Sequence, residues 1–372
     1  MEKLSRPINH IFYPAHGGNR HAVLKGLGVP DEHVIDFSAS VNPLGPSPMA
    51  LSSLDDLSRL VSEYPESDSF FFSEKISRYL KIPSVWILVT NGSTELIHLL
   101  PRLLEPGKEA LILNPCFSEY ERALCLNRIR VHSMIYHAGR SFQMDPERVI
   151  NYLHHYPSVE MLVLGHPNNP TGHLWNEKSL EAVVQHCKSQ KIILVVDETF
   201  IEFCDETVSA LKWMRNNQYL VVVRSMTKFF GFAGVRLGYG VMHQDLRVRL
   251  KKYQVPWSVN SLAQAMGIAA LADREHALKT REMVREQRQY LFSELNTLKD
   301  VRVFPSQANF LLFQLSGGHT ETAPQLYMNL MKDGLLVRNC GNFSGLDTSY
   351  FRVAVRTSGE NQMLVSRVKI HL

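Results

Sequence analysis

The sequence predicts an α/β protein, a mostly parallel, doubly wound sheet followed by a smaller α+β unit. Three observations predict it. Short apolar runs recur through the middle of the chain, stretches with helical spacing separate them, and near residue 261 this alternation gives way to a long charged helical pattern. Strands that are apolar throughout, rather than alternately, are buried on both faces, and helices between parallel strands supply the cover.

Taken in order, the first 50 or so residues hold Gly17, Gly18, Pro43, Gly45, Pro46 and Pro48 and read as an irregular arm, residues 1–50. Strands follow at 85–90, 110–113, 129–135, 161–164, 192–196, 219–223 and 237–241. Helices are expected between several of them, at 94–104, 145–154 and 177–189. Together these make a large domain over residues 51–275. From 261 to about 298, Arg281, Arg285 and Arg288 fall on one side of a long helix that links to a small C-terminal domain, residues 276–372. Its strands are expected at 301–304, 310–314, 335–338 and 350–355, and its helices near 322–332 and 361–370.

Composition narrows the function. The chain has 372 residues, 45% of them apolar and 20% charged, which is neither disordered nor fibrous. Forty Lys and Arg stand against 36 Asp and Glu, so the net charge of +4 offers no footprint for nucleic acid, and a small-molecule substrate is expected. Cys116, Cys125, Cys187, Cys204 and Cys340 contain no CxxC pair, which argues against a disulfide framework or zinc ribbon and fits a reducing cytoplasm. The start of the chain lacks the apolar core of a signal peptide, and no apolar run is long enough for a bilayer. His132 with His137 and His154 with His155 lack metal-ligand spacing, so no metal is expected. GxGxxG, Walker and GxSxG patterns are absent.

In an open parallel sheet, ligands sit beyond the carboxyl ends of the strands. Behind the strand at 85–90, Asn91-Gly92-Ser93-Thr94-Glu95 opens a helix whose free N–H groups suit a phosphate, although a plain capping arrangement fits equally well. Gly165-His166-Pro167-Asn168-Asn169-Pro170-Thr171-Gly172 is rigid and turn-forming. Asp197, at the end of a buried strand, needs a cation, and a protonated ring nitrogen would serve. Lys228 stands among apolar residues, three after Ser225 and eight before Arg236. It reads either as a snorkelling surface lysine or as a desolvated amine competent for a Schiff base.

Taken together, Asn169-Pro170-Thr171-Gly172, Asp197-Glu198-Thr199-Phe200 and Ser225-Met226-Thr227-Lys228 with Arg236 resemble the signature set of fold-type I pyridoxal-5'-phosphate enzymes, which have the aspartate-aminotransferase-like fold. Within that fold the chain is similar to the branch of histidinol-phosphate aminotransferases and L-threonine-O-3-phosphate decarboxylases of cobalamin synthesis. Further marks of the decarboxylases are His16-Gly17-Gly18-Asn19, Asp36-Phe37-Ser38-Ala39, Asn42-Pro43-Leu44-Gly45, Pro256-Trp257-Ser258-Val259-Asn260 and Phe351-Arg352-Val353-Ala354-Val355-Arg356. The resemblance implies pyridoxal 5'-phosphate as cofactor and a homodimer.

By the same resemblance, Lys228 would be the catalytic amine that carries the cofactor, and Asp197 would keep the pyridinium nitrogen protonated. Asn169 would bond the ring hydroxyl, and Phe117 would stack on the ring. Ser93, Thr94, Ser225 and Arg236 would hold the phosphate, with Tyr64 reaching it from the partner subunit. Phe117 and Tyr64 also fit as ordinary core or interface aromatics. The substrate would be a phosphoamino acid held by Arg338, Arg352, Asn169, His16, Gly17, Ser40 and Asn42.

The implied reaction is decarboxylation of L-threonine O-3-phosphate to (R)-1-aminopropan-2-yl phosphate for the cobalamin nucleotide loop. Histidinol-phosphate aminotransferase activity and decarboxylation of L-serine O-phosphate are the alternatives. Two departures bear on the choice. Aminotransferases of the branch commonly read Asp-Glu-x-Tyr, and Phe200 carries no phenol. Decarboxylases usually carry Asn where this chain has Ser40, and a single methyl is worth only about 1–3 kcal/mol of discrimination between the threonine and serine esters.

Overall fold

The computed structural model describes residues 17, 18, 20, 34–204, 208–316 and 322–372. The strands run β1 (Ile35–Asp36), β2 (Ile87–Thr90), β3 (Glu109–Asn114), β4 (Arg130–Ile135), β5 (Val159–Gly165), β6 (Ile193–Asp197), β7 (Leu220–Ser225), β8 (Gly238–Met242), β9 (Val301–Phe304), β10 (Phe310–Leu315), β11 (Leu335–Leu336), β12 (Arg338–Asn339) and β13 (Tyr350–Ala354). The apolar runs in the middle of the chain become one seven-stranded sheet in the order β2-β8-β7-β6-β5-β3-β4.

Both faces of this sheet are buried. Leu111, Leu162, Leu194 and Val222 turn to one face, and Ile112, Val163, Val195 and Val221 to the other, as the two-residue period of a strand demands. Phe72 and Ile76 of helix Phe70–Leu80, Val149 and Leu153 of Pro146–His155, and Leu180, Val183 and Val184 of Glu177–Gln190 cover the first face. Leu96 and Ile97 of Gly92–Leu99, Ala123 and Leu124 of Glu119–Leu126, and Leu246 and Leu250 of Gln244–Lys251 cover the second. Local signals start several helices: Asp145 caps Pro146–His155 ahead of a first-turn proline, and Asn176 and Asn260 cap theirs through their side chains.

Three features depart from the sequence reading. β8 runs antiparallel to both β2 and β7. The connection from Ser225 to Gly238 contains no helix, and a parallel return needs a crossover of about a dozen residues or more that passes over the sheet. The long helix at 261–298 is two helices, Ser261–Ala270 and Arg274–Asn296, because the Asp273 side chain accepts from His276 N and starts a new one. The run at 335–338 is split, with β11 pairing in parallel with β1 and β12 pairing with β13.

The smaller sheet, β12-β13-β10-β9, is antiparallel. Residues 35–37 of the arm fasten to it: Ile35 N donates to Gly334 O at 2.8 Å, and Ala354 N to Phe37 O at 2.8 Å. Among the described residues no helix is long and apolar enough to cross a membrane, and no group of His, Cys, Asp and Glu could hold a metal ion.

Candidate active site

The carboxyl ends of β2, β3, β5, β6 and β7 lead into loops and helices that line a cavity of about 200 Å3, which the small domain and the arm flank from the other side. Among the described residues its charged lining consists of Lys228, Arg236, Arg338 and Arg352 against one carboxylate, Asp197. Four cations to one anion is an anion site.

One end of the cavity is the start of helix Gly92–Leu99. Among the described residues no side chain caps this helix; instead Glu95 accepts from Asn91 N. Ser93 and Thr94 therefore keep their hydroxyls for the cavity they line, together with Ser225 and Thr227. Gly92 has φ +73, and a β-carbon there would stand 2.6 Å from Arg236 Nη2. The missing side chain lets the guanidinium lie against the helix start, and the two form a cradle sized for a phosphate.

In the middle of the sheet, Asp197 closes β6. Burial pushes its carboxyl up from the ordinary carboxylate value, opposed by the backbone N–H of Thr199, which donates to Oδ1 at 2.9 Å. Among the described residues no cation forms a direct ion pair with it, although Lys228 of the same cavity feels its charge. Lys228 Nζ lies over the Phe200 ring, 5.9 Å from its centre, and has no hydrogen-bond or ion-pair partner among the described residues. Burial, then Arg352 and Arg236, pull the amine down to about 8, against the attraction of Asp197. At pH 7 roughly one amine in ten is then neutral, where an ordinary lysine has fewer than about one in a thousand.

Asn169 is turned into the cavity because its neighbour Asn168 is pinned: Asn168 Nδ2 donates to Pro115 O at 2.8 Å and to Thr171 Oγ1 at 3.0 Å. From the small domain, Arg352 donates through Nη1 to Asn169 Oδ1 and through Nη2 to Ser38 O at 2.9 Å, with its guanidinium over the Phe310 ring. Among the described residues its buried Nε has no partner, and neither does Ser40 Oγ. Arg338 stacks on Phe343 and donates to Asn342 Oδ1 at 2.6 Å.

Ser93, Thr94, Phe117, Asn169, Asp197, Ser225, Lys228, Arg236, Gly17, Ser40, Arg338 and Arg352 thus meet in one cavity. Two expected residues do not join them, and a third, His16, lies outside the described residues. Tyr64 is 85% exposed, its ring 5.4 Å from that of Trp257, and it does not line the cavity of its own chain. Asn42 is buried behind the cavity wall, and its side chain is spent on Phe229 O and Thr280 Oγ1 instead of facing a substrate. Sequence reasoning passed over Ser118, Thr199 and Thr227, each beside a residue already singled out, and Phe343, whose loop carries no local signal.

The model of the aminotransferase class I and II family matches residues 32–368. The chain belongs to this family. As an aminotransferase-family protein it is 34% identical over 360 residues to a threonine-phosphate decarboxylase of Salmonella typhimurium, covering 96% of this chain and 97% of that one. It is 32% identical over 366 residues to a histidinol-phosphate aminotransferase of Methanosarcina barkeri, covering 98% and 96%. The histidinol-phosphate aminotransferase structure from Clostridium acetobutylicum superposes with a TM-score of 0.84 at 30% identity, covering 90% of this chain and 98% of that one. The fold is that of the aspartate-aminotransferase-like enzymes, and the protein is a pyridoxal-5'-phosphate enzyme.

The cavity fits that cofactor. The Gly92–Arg236 cradle, which a β-carbon would fill, matches its phosphate, and the unpaired, buried Asp197 matches a ring nitrogen that carries a proton. Lys228, half-buried and without a partner among the described residues, would be the amine its aldehyde requires.

Proposed function

We propose that this enzyme decarboxylates L-threonine O-3-phosphate to (R)-1-aminopropan-2-yl phosphate, a step serving the cobalamin nucleotide loop. The observation that carries this reading is the second pair of cations. Arg236 and the helix start suffice for one phosphate, which leaves Arg338 and Arg352 for a substrate that is itself doubly anionic, a carboxylate and a phosphate ester. Phe200, without a phenol where aminotransferases of the branch commonly have one, supports decarboxylation over amino transfer.

When bound, pyridoxal 5'-phosphate supplies a conjugated ring that accepts the electron pair of a bond breaking at the α-carbon. Asp197 keeps a proton on the ring nitrogen, because a charged carboxylate in this dry setting strongly favours a cation beside it. Arg338 and Arg352 would hold the two anionic ends of the substrate and so select the carboxylate as the group at the α-carbon placed for release. Lys228 Nζ then gives a proton to the α-carbon, and its low proton affinity makes that donation easy. Exclusion of water by Phe117, Phe200 and Phe343 keeps the proton from arriving elsewhere.

The same reading makes the protein a homodimer. Tyr64 and Trp257 are too exposed for a finished surface, and a second copy would bring Tyr64 to its phosphate cradle. A side-by-side assay with threonine phosphate, serine phosphate and histidinol phosphate tests the assignment. Carbon dioxide should come fastest from threonine phosphate. Amino transfer from histidinol phosphate to 2-oxoglutarate, with no carbon dioxide from either phosphoamino acid, would overturn it.

A further inference from the structure

Lys228 lies in the connection from β7 to β8, where no helix or strand holds the backbone. Its amine has no partner among the described residues that could fix it from the tip. The stem must therefore be held from the backbone end, and Asn42 does this. Asn42 N donates to Lys228 O at 2.8 Å, and Asn42 Nδ2 donates to Phe229 O at 2.8 Å and to Thr280 Oγ1 at 3.0 Å. Asn42 Oδ1 accepts from Leu44 N at 2.9 Å, which sets the amide plane. Thr280 is fully buried on helix Arg274–Asn296.

The surfaces around this tie leave no slack. Gly231 has φ +78, and a β-carbon there would stand 2.7 Å from the carbonyl carbon of Gly45 and 2.8 Å from Pro46 N. The lysine loop thus lies flush on the arm. On the other side His276 Nε2 reaches Gly45 O at 3.2 Å, so the same helix grips the arm a second time.

We propose that Asn42 is a positioning residue for Lys228: its backbone N–H holds Lys228 O, its side chain ties Phe229 O to Thr280, and the side-chain tie keeps this segment in place and thereby sets where Nζ stands among Asp197, Arg236 and Arg352. This rests on Lys228 being the reacting amine, and it replaces the substrate contact expected for Asn42 with a role through the lysine backbone. Of the two ends of the tie, Thr280 is the cleaner to alter. Valine keeps its shape and removes the hydroxyl, while serine keeps the hydroxyl.

The experiment compares wild type, Asn42→Ala, Thr280→Val and Thr280→Ser. Three quantities are measured: the rate at which apo-protein acquires visible absorbance on mixing with pyridoxal 5'-phosphate, kcat and KM for carbon dioxide release from threonine phosphate, and Tm. Misplacing a reacting group by a fraction of an ångström costs at least about tenfold. Asn42→Ala and Thr280→Val should take up the cofactor about tenfold more slowly and lose about tenfold in kcat, with KM within about twofold, and Thr280→Ser should restore both rates. Wild-type uptake rates in Asn42→Ala and Thr280→Val overturn the proposal even if Tm falls. A Thr280→Ser variant as slow as Thr280→Val also overturns it. Should Asn42→Ala fail to fold, the two Thr280 variants decide alone. Wild-type protein that takes up the cofactor but releases no carbon dioxide refutes the decarboxylase reading only, and the uptake rates still decide the role of Asn42.

Discussion

A β-carbon on Gly92 would stand 2.6 Å from the guanidinium of Arg236, so these two residues lie together at the proposed phosphate end of the cavity only on condition that the first has no side chain. Gly92 also has φ +73, where an L-residue pays about 1–2 kcal/mol. Gly92→Ala should therefore displace Arg236 and raise the dissociation constant for pyridoxal 5'-phosphate at least about tenfold, equivalent to about 1.4 kcal/mol. Titration of apo-protein by visible absorbance measures this. Unchanged affinity would remove the cradle from the cofactor site.

Lys228 makes a prediction about stability as well as turnover. The folded protein holds its amine at about 8, below the ordinary 10.5, so the folded state disfavours the charged form. The resulting penalty is full below pH 8 and fades as pH rises from 8 to 10.5, because over that window the unfolded chain binds the extra proton. Apo Lys228→Met should accordingly unfold at higher denaturant than the apo wild type at pH 7, with the gap narrowing towards pH 10.5. The same variant should show neither the visible absorbance nor turnover. A gap that widened with pH would mean the amine is not desolvated.

Arg352 uses its fork twice, on Asn169 Oδ1 and on Ser38 O, while its guanidinium packs over Phe310. Lysine keeps the charge and loses the fork. Arg352→Lys should raise KM for the phosphoamino acid about 10- to 100-fold, equivalent to about 1.5–3 kcal/mol for a charged hydrogen bond, and leave cofactor content unchanged. Steady-state kinetics with the absorbance ratio of the purified protein separates the two effects. Loss of cofactor with KM unchanged would move Arg352 out of the substrate subsite.

The apolar strands were legible because burial on both faces leaves nothing polar in them: Ile193 to Val196 can belong only in the middle of a sheet. Direction is a different matter, since apolar residues in β8 pack equally well either way up, and only the helix-free stretch after Ser225 hinted at reversal. Breaks set by one residue were likewise hidden, as with Asp273 restarting a helix that periodicity alone carries through. Motifs placed Asp197, Lys228 and Asn169 at strand ends because those positions are local in sequence. Asn42 could not be placed in this way. Its partners Phe229 and Thr280 lie 187 and 238 residues away, and an asparagine that meets a backbone reads the same as one that meets a ligand.

The reversed strand β8 bears on how the enzyme is made. β2 pairs only with β8, from Ile87 with Val241 to Thr90 with Gly238, so the edge of the sheet from which the cradle helix springs finds its partner about 150 residues later in the chain. A ribosome that has already released β3 through β7, Asp197 and Ser225 included, still leaves β2 without a neighbour. Completion of the proposed cradle is therefore a late event in synthesis, and a nascent chain that ends between Lys228 and Met242 already holds Asp197 and Lys228 but lacks the strand that pairs with β2.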